Sequence, residues 1–435
     1  MLRRLDLRGA PDGWQAAIPR PQAAADPPVQ AVRAVLADVR ARGDDAVRDC
    51  TERFDGVRLG DLRVPAGELV AALHGLDRAL RDALETAHGT IVDFHRHGLA
   101  AEAPFERGGL KVTARHQPVD RAGLCVPGGE APLISSVLMT AVPAKVAGVA
   151  EIVLCSPPSV ALAGPAGGTV HPGILAAAAL AGVDEVYRVG GAQAVAAMAY
   201  GTASVRAVDV IAGPGGLFTS VAKREVAAEG RVGVPGSFPG PSEVVVVADG
   251  TTPVEAAAID LIVQVEHGPD SVAWLITWSE AAAAAIEAAV ARLAAESPRR
   301  RVIEANLAAN SWTALVDGAE QAIELANAIA PEHLELMSSG PEELVALVRH
   351  AGAVFVGPWA PASVGDYVAG PSHVLPTYGS ARFSGALGVE DFRKTVHVIA
   401  VDEAGLARLG PSVVALAEAE GLAAHARSVR ARWAS

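Results

Sequence analysis

Two successive α/β units built on doubly wound, parallel sheets are the fold class that the sequence predicts, and three observations carry it. From residue 121 onward, short β-branched or apolar runs alternate with Gly-rich turns and Ala-rich helical stretches. The Gly- and Pro-rich segment 232–241 interrupts this alternation, and a second series follows it. The chain has 435 residues, whereas one domain ordinarily holds about 100 to 200, so more than one packed unit is expected. Strands alternating with helices call for parallel sheets covered on both faces.

Taken in order, residues 1–24 are rich in Pro and Ala and read as an N-terminal arm. Spans 30–53 and 68–97 carry helical periodicity, with a turn-rich stretch at 56–65 between them. The first βα unit is a strand at 122–126, the turn Pro127-Gly128-Gly129 and a helix at 135–147. A strand at 151–155 follows, and 157–172 lacks any period and is expected to be a surface loop. Strand 185–189 leads through Gly190-Gly191 into helix 192–200, and strand 208–212 leads through Gly213-Pro214-Gly215-Gly216 into helix 217–227. The second series reads as strand 243–248, helix 253–266, strand 272–278, helix 280–296, strand 312–316, helix 319–330, a short run at 334–337, helix 342–350 and strand 353–356. Segment 381–435 is helical at its end and too short for a core of its own, so it is expected to pack on another domain or subunit.

Composition narrows the partners. A formal charge of −13 repels phosphate backbones, and no basic run with interleaved aromatics is present, which argues against nucleic acid. Half of the residues are apolar, yet no run approaches the roughly 18 uninterrupted apolar positions of a membrane span. Arg3, Arg4, Asp6 and Arg8 leave no room for a secretory signal at the start, so a cytoplasmic location is expected. Cys50, Cys125 and Cys155 are widely spaced without a CxxC pair and read as reduced, buried thiols.

Four local features carry side chains suited to chemistry. Gln264 and His267 stand three apart on a helix, which places an amide and an imidazole on one face where both can bind one metal; a solvent-facing helix end has the same pattern. Pro331-Glu332-His333 ends a helix and leaves an acid beside an imidazole, the groups best suited to proton transfer near neutral pH; solvated residues at a helix end look alike. Asp366 and His373 lie in a stretch after strand 353–356, where ligands gather at the C-terminal edge of parallel sheets. Glu420 and His425 sit in the last helical segment. The Gly-rich turns suit close approach of a dinucleotide to helix N-termini, although none has GxGxxG spacing.

Together these pieces resemble the histidinol dehydrogenase family from Leu5-Asp6-Leu7-Arg8 to Ala424-His425. The resemblance runs through Pro127-Gly128-Gly129, Ser136-Val137-Leu138-Met139, Val189-Gly190-Gly191-Ala192-Gln193-Ala194, Gly240-Pro241-Ser242-Glu243-Val244, Gln264-Val265-Glu266-His267-Gly268, Ala330-Pro331-Glu332-His333-Leu334, Gly365-Asp366-Tyr367, His373-Val374-Leu375-Pro376-Thr377 and Ala417-Glu418-Ala419-Glu420-Gly421. It implies two Rossmann-like domains, one from 25–125 with 242–380 bearing the metal and catalytic residues, and one from 126–241 for NAD. The arm 1–24 and segment 381–435 would stand outside them, the latter exchanged between subunits of a homodimer. It implies zinc held by Gln264, His267, Asp366 and His425, all of which would also meet the substrate. Ser242, His333, His373 and Glu420 would complete the substrate site, and Glu332 with His333 would be the acid and base pair. Residues matching Glu420 and His425 would come from the partner chain. The implied reaction takes L-histidinol through its aldehyde to L-histidine, with NAD as oxidant. A paralogous zinc and NAD enzyme acting on another alcohol, or a zinc scaffold without redox activity, are the competing readings.

The implied cofactor contacts are Cys125, Gln193 and Gly216, and two of them depart from the family pattern. Cys125 stands where the family usually has Tyr, and Gly216 stands where it has Asn. The stretch 233–239 also replaces the family's acidic, Ala-containing approach to Pro241. Weak NAD affinity with zinc binding intact is the expectation that follows.

Overall fold

Val244, Val245, Val246 and Val247 are the unbroken β-branched run of a strand buried on both faces. The computed structural model places them in Glu243–Ala248, an interior strand of a six-stranded sheet. The strands run Arg3–Asp6, Trp312–Leu315, Val272–Thr277, Glu243–Ala248, His333–Leu336, Ala353–Val356, and every neighbouring pair is parallel. Alternation along the strand feeds two cores. Val244 and Val246 pack with Ala257 and Leu261 of helix Val254–Val265 on one face, and Val245 and Val247 pack with Trp274, Leu325 and Leu334 on the other. The structure describes residues 2–11, 13–19, 27–99, 103–128, 132–164, 167–236, 240–266, 268 and 270–433.

The smaller sheet has four parallel strands in the order Glu185–Tyr187, Glu151–Cys155, Arg121–Cys125, Val210–Ala212. Helices Gly191–Tyr200 and Leu217–Ala228 share its core through Val195 and Val221. Val32, Leu36, Val39, Ala46 and Val47 of the preceding helices enter that same core. The expected grouping of 25–125 with 242–380 therefore does not follow the packing, because residues 29–55 and strand Arg121–Cys125 bury their apolar faces with 126–241. At one end of this sheet the nearly buried Arg121 guanidinium pairs with both Glu151 and Glu185, which satisfies a charge that could not remain there alone.

The chain divides into two compact units, and both parallel sheets belong to the first, Met1–His97 with Asp120–Phe392. The second, Gly98–Val119 with Arg393–Ser435, holds an antiparallel sheet in the order Arg393–Val401, Leu110–Pro118, Phe105–Arg107. Helices Glu403–Ala419 and Ala423–Arg430 accompany it, and Val414, Ala417, Ala426 and Val429 form a small cluster of their own. Segment 381–435 thus has a modest core and a long strand, against the expectation of a coreless helical tail.

Other differences have local causes. Span 30–53 is two helices, Val29–Arg42 and Asp44–Asp55, because Gly43 at φ 60° and ψ −130° leaves helical geometry. Span 68–97 likewise divides into Ala66–His74 and Arg78–His97. The expected loop 157–172 contains an antiparallel hairpin of Ser159–Gly164 and Gly167–Thr169. Within the arm, Arg3–Asp6 is the edge strand of the large sheet. All three cysteines are free and buried. Among the described residues no helix is long and apolar enough to cross a membrane.

Candidate active site

Helix Ala319–Ile329 ends at Ala330, whose φ of 55° and ψ of 61° put a non-glycine residue in the left-handed region. Pro331 follows and cannot continue the helix. The chain turns directly into strand His333–Leu336, so Glu332 and His333 stand at its N-terminal edge. This is the edge opposite to the one where parallel sheets ordinarily gather ligands. Asp366 reaches the pair because helix Ala362–Tyr367 follows strand Ala353–Val356 and returns, leaving Asp366 Oδ1 3.4 Å from His333 Nε2.

Glu243 organises the pair through its main chain. Its N–H donates to Glu332 Oε2 at 2.9 Å, and its carbonyl accepts from His333 Nδ1 at 3.1 Å. A carbonyl only accepts, so the Nδ1 proton is fixed and Nε2 is the atom left for proton exchange. Glu332 Oε2 is also 3.5 Å from His333 Nδ1, and the imidazole lies nearly parallel to Phe355 with ring centres 5.9 Å apart. Burial alone would lower the basicity of His333. The Glu332 charge and the Asp366 carboxylate outweigh it and hold the ring well above the usual histidine range. The Glu243 side chain is buried beside Glu332, and burial first, then that charge, push it up to about 8.

His373 is held on both ring nitrogens. Nδ1 donates to the Asp366 carbonyl at 2.9 Å, and Nε2 lies 2.9 Å from Ser136 Oγ. The same argument fixes the proton on Nδ1, so in the neutral ring the Ser136 hydroxyl donates to Nε2. Burial lowers the His373 pKa and favours that neutral form. Ser136 belongs to helix Ile134–Ala147 of the small sheet, so this bond joins the two sheets' sides of the site. Ser242 precedes Glu243 and is partly buried, its carbonyl accepting from Val272 N–H at 2.9 Å.

Gln264 is 1% exposed, and its Nε2 is buried without a hydrogen-bond partner. Amide N and O are interchangeable by a flip, so this unpaired buried amide can turn either a donor or an acceptor towards a ligand. An amide oxygen and a carboxylate such as that of Asp366 are donor types that suit zinc. His267 lies outside the described residues. Glu420 and His425 belong to the second unit and are both exposed. Among the described residues no three His, Cys, Asp or Glu side chains form a metal-sized group.

At the C-terminal edge of the small sheet a cleft of about 180 Å³ is lined by Cys125, Gly128, Gly190, Gly191, Gly215 and Gly216, among others. Gly213 has φ 99°, and a Cβ there would stand 2.3 Å from the Cys125 carbonyl oxygen, whereas one at Gly216 would meet open space. The buried Lys223 ammonium donates to the Gly213 carbonyl and ties this loop to helix Leu217–Ala228. Gln193 is 2% exposed, with Nε2 3.5 Å from Asp55 Oδ2, and does not line the cleft.

Sequence reasoning thus reached Glu332, His333, Asp366 and His373, which the structure gathers. It missed the roles of Ser136, Lys223 and Glu243. Ser136 and Glu243 were present only as members of longer motifs, and Lys223 stood inside a helical stretch where burial cannot be read.

The chain matches the family model for histidinol dehydrogenase over residues 18–433. It is 48% identical over 402 residues to the histidinol dehydrogenase of Parasynechococcus marenigrum, covering 92% of this chain and 90% of the relative. It is 44% identical over 435 residues to that of Thermobifida fusca, covering 99% and 98%. The crystal structure of histidinol dehydrogenase from Elizabethkingia anophelis superposes with a TM-score of 0.93 at 33% identity, over 99% of this chain and 98% of that one. A family match of this extent, on a chain that clamps His333 between Glu332 and Asp366, places the protein in the histidinol dehydrogenase family.

Proposed function

We propose that the chain oxidises L-histidinol through L-histidinaldehyde to L-histidine, in histidine biosynthesis in the cytoplasm, with NAD as oxidant and zinc as resident metal. The observation that carries this reading is the clamped His333, whose Nδ1 proton is pinned to the Glu243 carbonyl. The raised basicity of His333 means that the ring must first release its Nε2 proton; in the neutral ring Nε2 is the atom that takes the hydroxyl proton as the alcohol carbon gives up a hydride. Glu332 is oriented by the Glu243 N–H on one oxygen, which leaves the other to take a proton from water as that water adds to the aldehyde carbon. Loss of a second hydride from the hydrate gives the acid, so two NAD are reduced for each substrate. His373, neutral and fixed by Ser136, and the nearby Ser242 orient the substrate.

Gln264, His267 and Asp366, with His425 of the partner subunit, would hold the zinc, which when bound supplies positive charge that orients an amino alcohol and stabilises an alkoxide. The exposure of Glu420 and His425 in the second unit supports a homodimer with shared sites. The cleft at Cys125 and Gly216 would take NAD, with Gln193 behind it. Strand orders of the kind found in dinucleotide-binding folds support a Rossmann-like reading of both parallel sheets.

The test is NADH formation with histidinol and with a panel of other alcohols and diols, before and after chelation. Two NADH per histidinol, lost on chelation and restored by zinc, is the expected result. A clear preference for another alcohol would replace the substrate, and full activity in metal-free protein would remove the metal.

A further inference from the structure

Cys125 and Cys155 are two thiols that the proposed reaction does not use, and the small sheet sets them side by side. They are register partners in the parallel pair Arg121–Cys125 and Glu151–Cys155, and the ladder continues past them, with Val126 N–H donating to the Cys155 carbonyl at 3.0 Å. Both point to one face of the sheet. Cys125, Val153 and Cys155 all enter the core made with helix Gly191–Tyr200, and a Cβ on Gly123, two residues before Cys125, would meet Met198 of that helix. Both cysteines also line the cleft at the sheet's C-terminal edge, Cys125 6% and Cys155 2% exposed. Burial pushes both thiols up, so each keeps its proton near neutral pH.

Adjacent strands hold such a pair about 4.7 to 4.9 Å apart. A relaxed disulfide needs Cβ atoms about 3.5 to 4.5 Å apart, closer than that spacing, whereas two metal–thiolate bonds of about 2.3 Å span up to roughly 4.6 Å between sulfurs. The spacing therefore favours an ion between the sulfurs over a bond between them. Among the described residues no three His, Cys, Asp or Glu side chains form a metal-sized group, so a cation that wants four ligands, such as zinc, is poorly served here, and a soft ion content with two sulfurs is favoured. Two thiolates around a singly charged ion leave one negative charge. The buried Lys223 ammonium stands ready to offset it, since it donates to the carbonyl of Gly213, the glycine whose Cβ would strike the Cys125 carbonyl oxygen.

We propose that Cys125 and Cys155 bind monovalent copper as a dithiolate at the floor of the cleft, where the ion excludes NAD. The exclusion rests on the functional reading above, which gives the cleft to NAD. Each thiol releases its proton to solvent as its sulfur takes the ion, and no oxidation state changes.

The full-length protein, supplied with zinc and kept free of oxygen, competes for monovalent copper with a chromophoric chelator, and NAD binding is followed by calorimetry with and without the copper. The parent is expected to take one ion per chain, with two sulfur neighbours by X-ray absorption and with NAD binding lost. Cys125→Ser and Cys155→Ser are each expected to take none, and Cys50→Ser to match the parent. No uptake by the parent, copper retained in C125S or C155S, or a shell of nitrogen and oxygen neighbours overturns the site. Undiminished NAD binding in the copper-loaded parent overturns the exclusion. Where a serine variant does not fold, Cys125→Ala or Cys155→Ala replaces it and is judged by the same outcomes. If the copper-free parent binds no NAD, the functional reading fails, and copper uptake alone judges the site.

Discussion

The two sides of the site are made by opposite means. Around His333 the side chains are dense and mutually addressed: Glu332, Asp366, His373 and Ser136 each hold a neighbour, and the Glu243 main chain holds Glu332 and His333. The cleft at the end of the small sheet is made by leaving side chains out, with glycines at 128, 190, 191, 215 and 216 on its walls. The first arrangement fixes charge in a buried setting, where misplacing a group by one ångström removes its function. The second fixes a backbone surface, where adding a group can either block the ligand or give it a new contact. Substitutions should therefore subtract on the first side and show both signs on the second.

The largest effect is expected at the proton-handling pair. His333→Ala should lower kcat by roughly 10²- to 10⁴-fold with histidinol. Glu332→Gln should spare alcohol oxidation more than aldehyde oxidation, assayed separately on histidinol and histidinaldehyde. Equal losses in both halves would end the division of labour between the two residues.

Next comes the sharing of sites between chains. Asp366→Ala and His425→Ala should each be inactive alone, and remixed subunits should recover part of the activity, since one site of each heterodimer would carry neither defect. Demonstrated heterodimers without activity would return His425 to its own chain's surface.

The cleft should respond in both directions. Gly216→Asn has open space and, with Cys125→Tyr, should tighten NAD binding by up to roughly a hundredfold in calorimetry, at about 0.5 to 1.5 kcal/mol per recovered contact. Gly213→Ala should weaken it, because its backbone is left-handed and its Cβ would strike the Cys125 carbonyl. Tight binding in the parent, unimproved by the double variant, would show a cofactor site rebuilt on other residues.

A separate effect, read without substrate or cofactor, is expected on stability. Glu243 releases its proton at about 8 in the folded chain against an ordinary value near 4.5. The folded state thus binds the proton more tightly, and this contribution is full below 4.5 and is lost as pH rises to about 8. Melting temperatures of the parent and Glu243→Gln, compared from pH 4.5 to 9, should diverge in favour of the variant as pH increases. A constant difference would mean that Glu243 is already ionised.

The same contrast explains what the sequence made legible. Strand Glu243–Ala248 announced itself because four consecutive valines admit little else, and Glu332-His333 stood out because Pro331 marks the turn that delivers them. Strands Leu110–Pro118 and Arg393–Val401 were missed because each is completed by a partner almost 300 residues away, beyond any local period. Helices Pro172–Leu180 and Arg300–Ala309 were passed over too, one short and uniformly apolar, the other opening on arginines. The edge of the sheet that carries the site could not be read either, since it depends on helix Ala362–Tyr367 turning back.

The N-terminal edge strand has a consequence for synthesis. Among the described residues Arg3–Asp6 pairs only with Trp312–Leu315, so it has no sheet to join until that segment leaves the ribosome. At about 5 to 20 residues per second, roughly 300 intervening residues take on the order of 15 to 60 seconds. Throughout that interval Leu5 and Leu7 lack the core they will enter. A ribosome paused before residue 312 would therefore display a free strand, open to trigger-type chaperones or to proteases, on a chain whose smaller sheet is already fully synthesised.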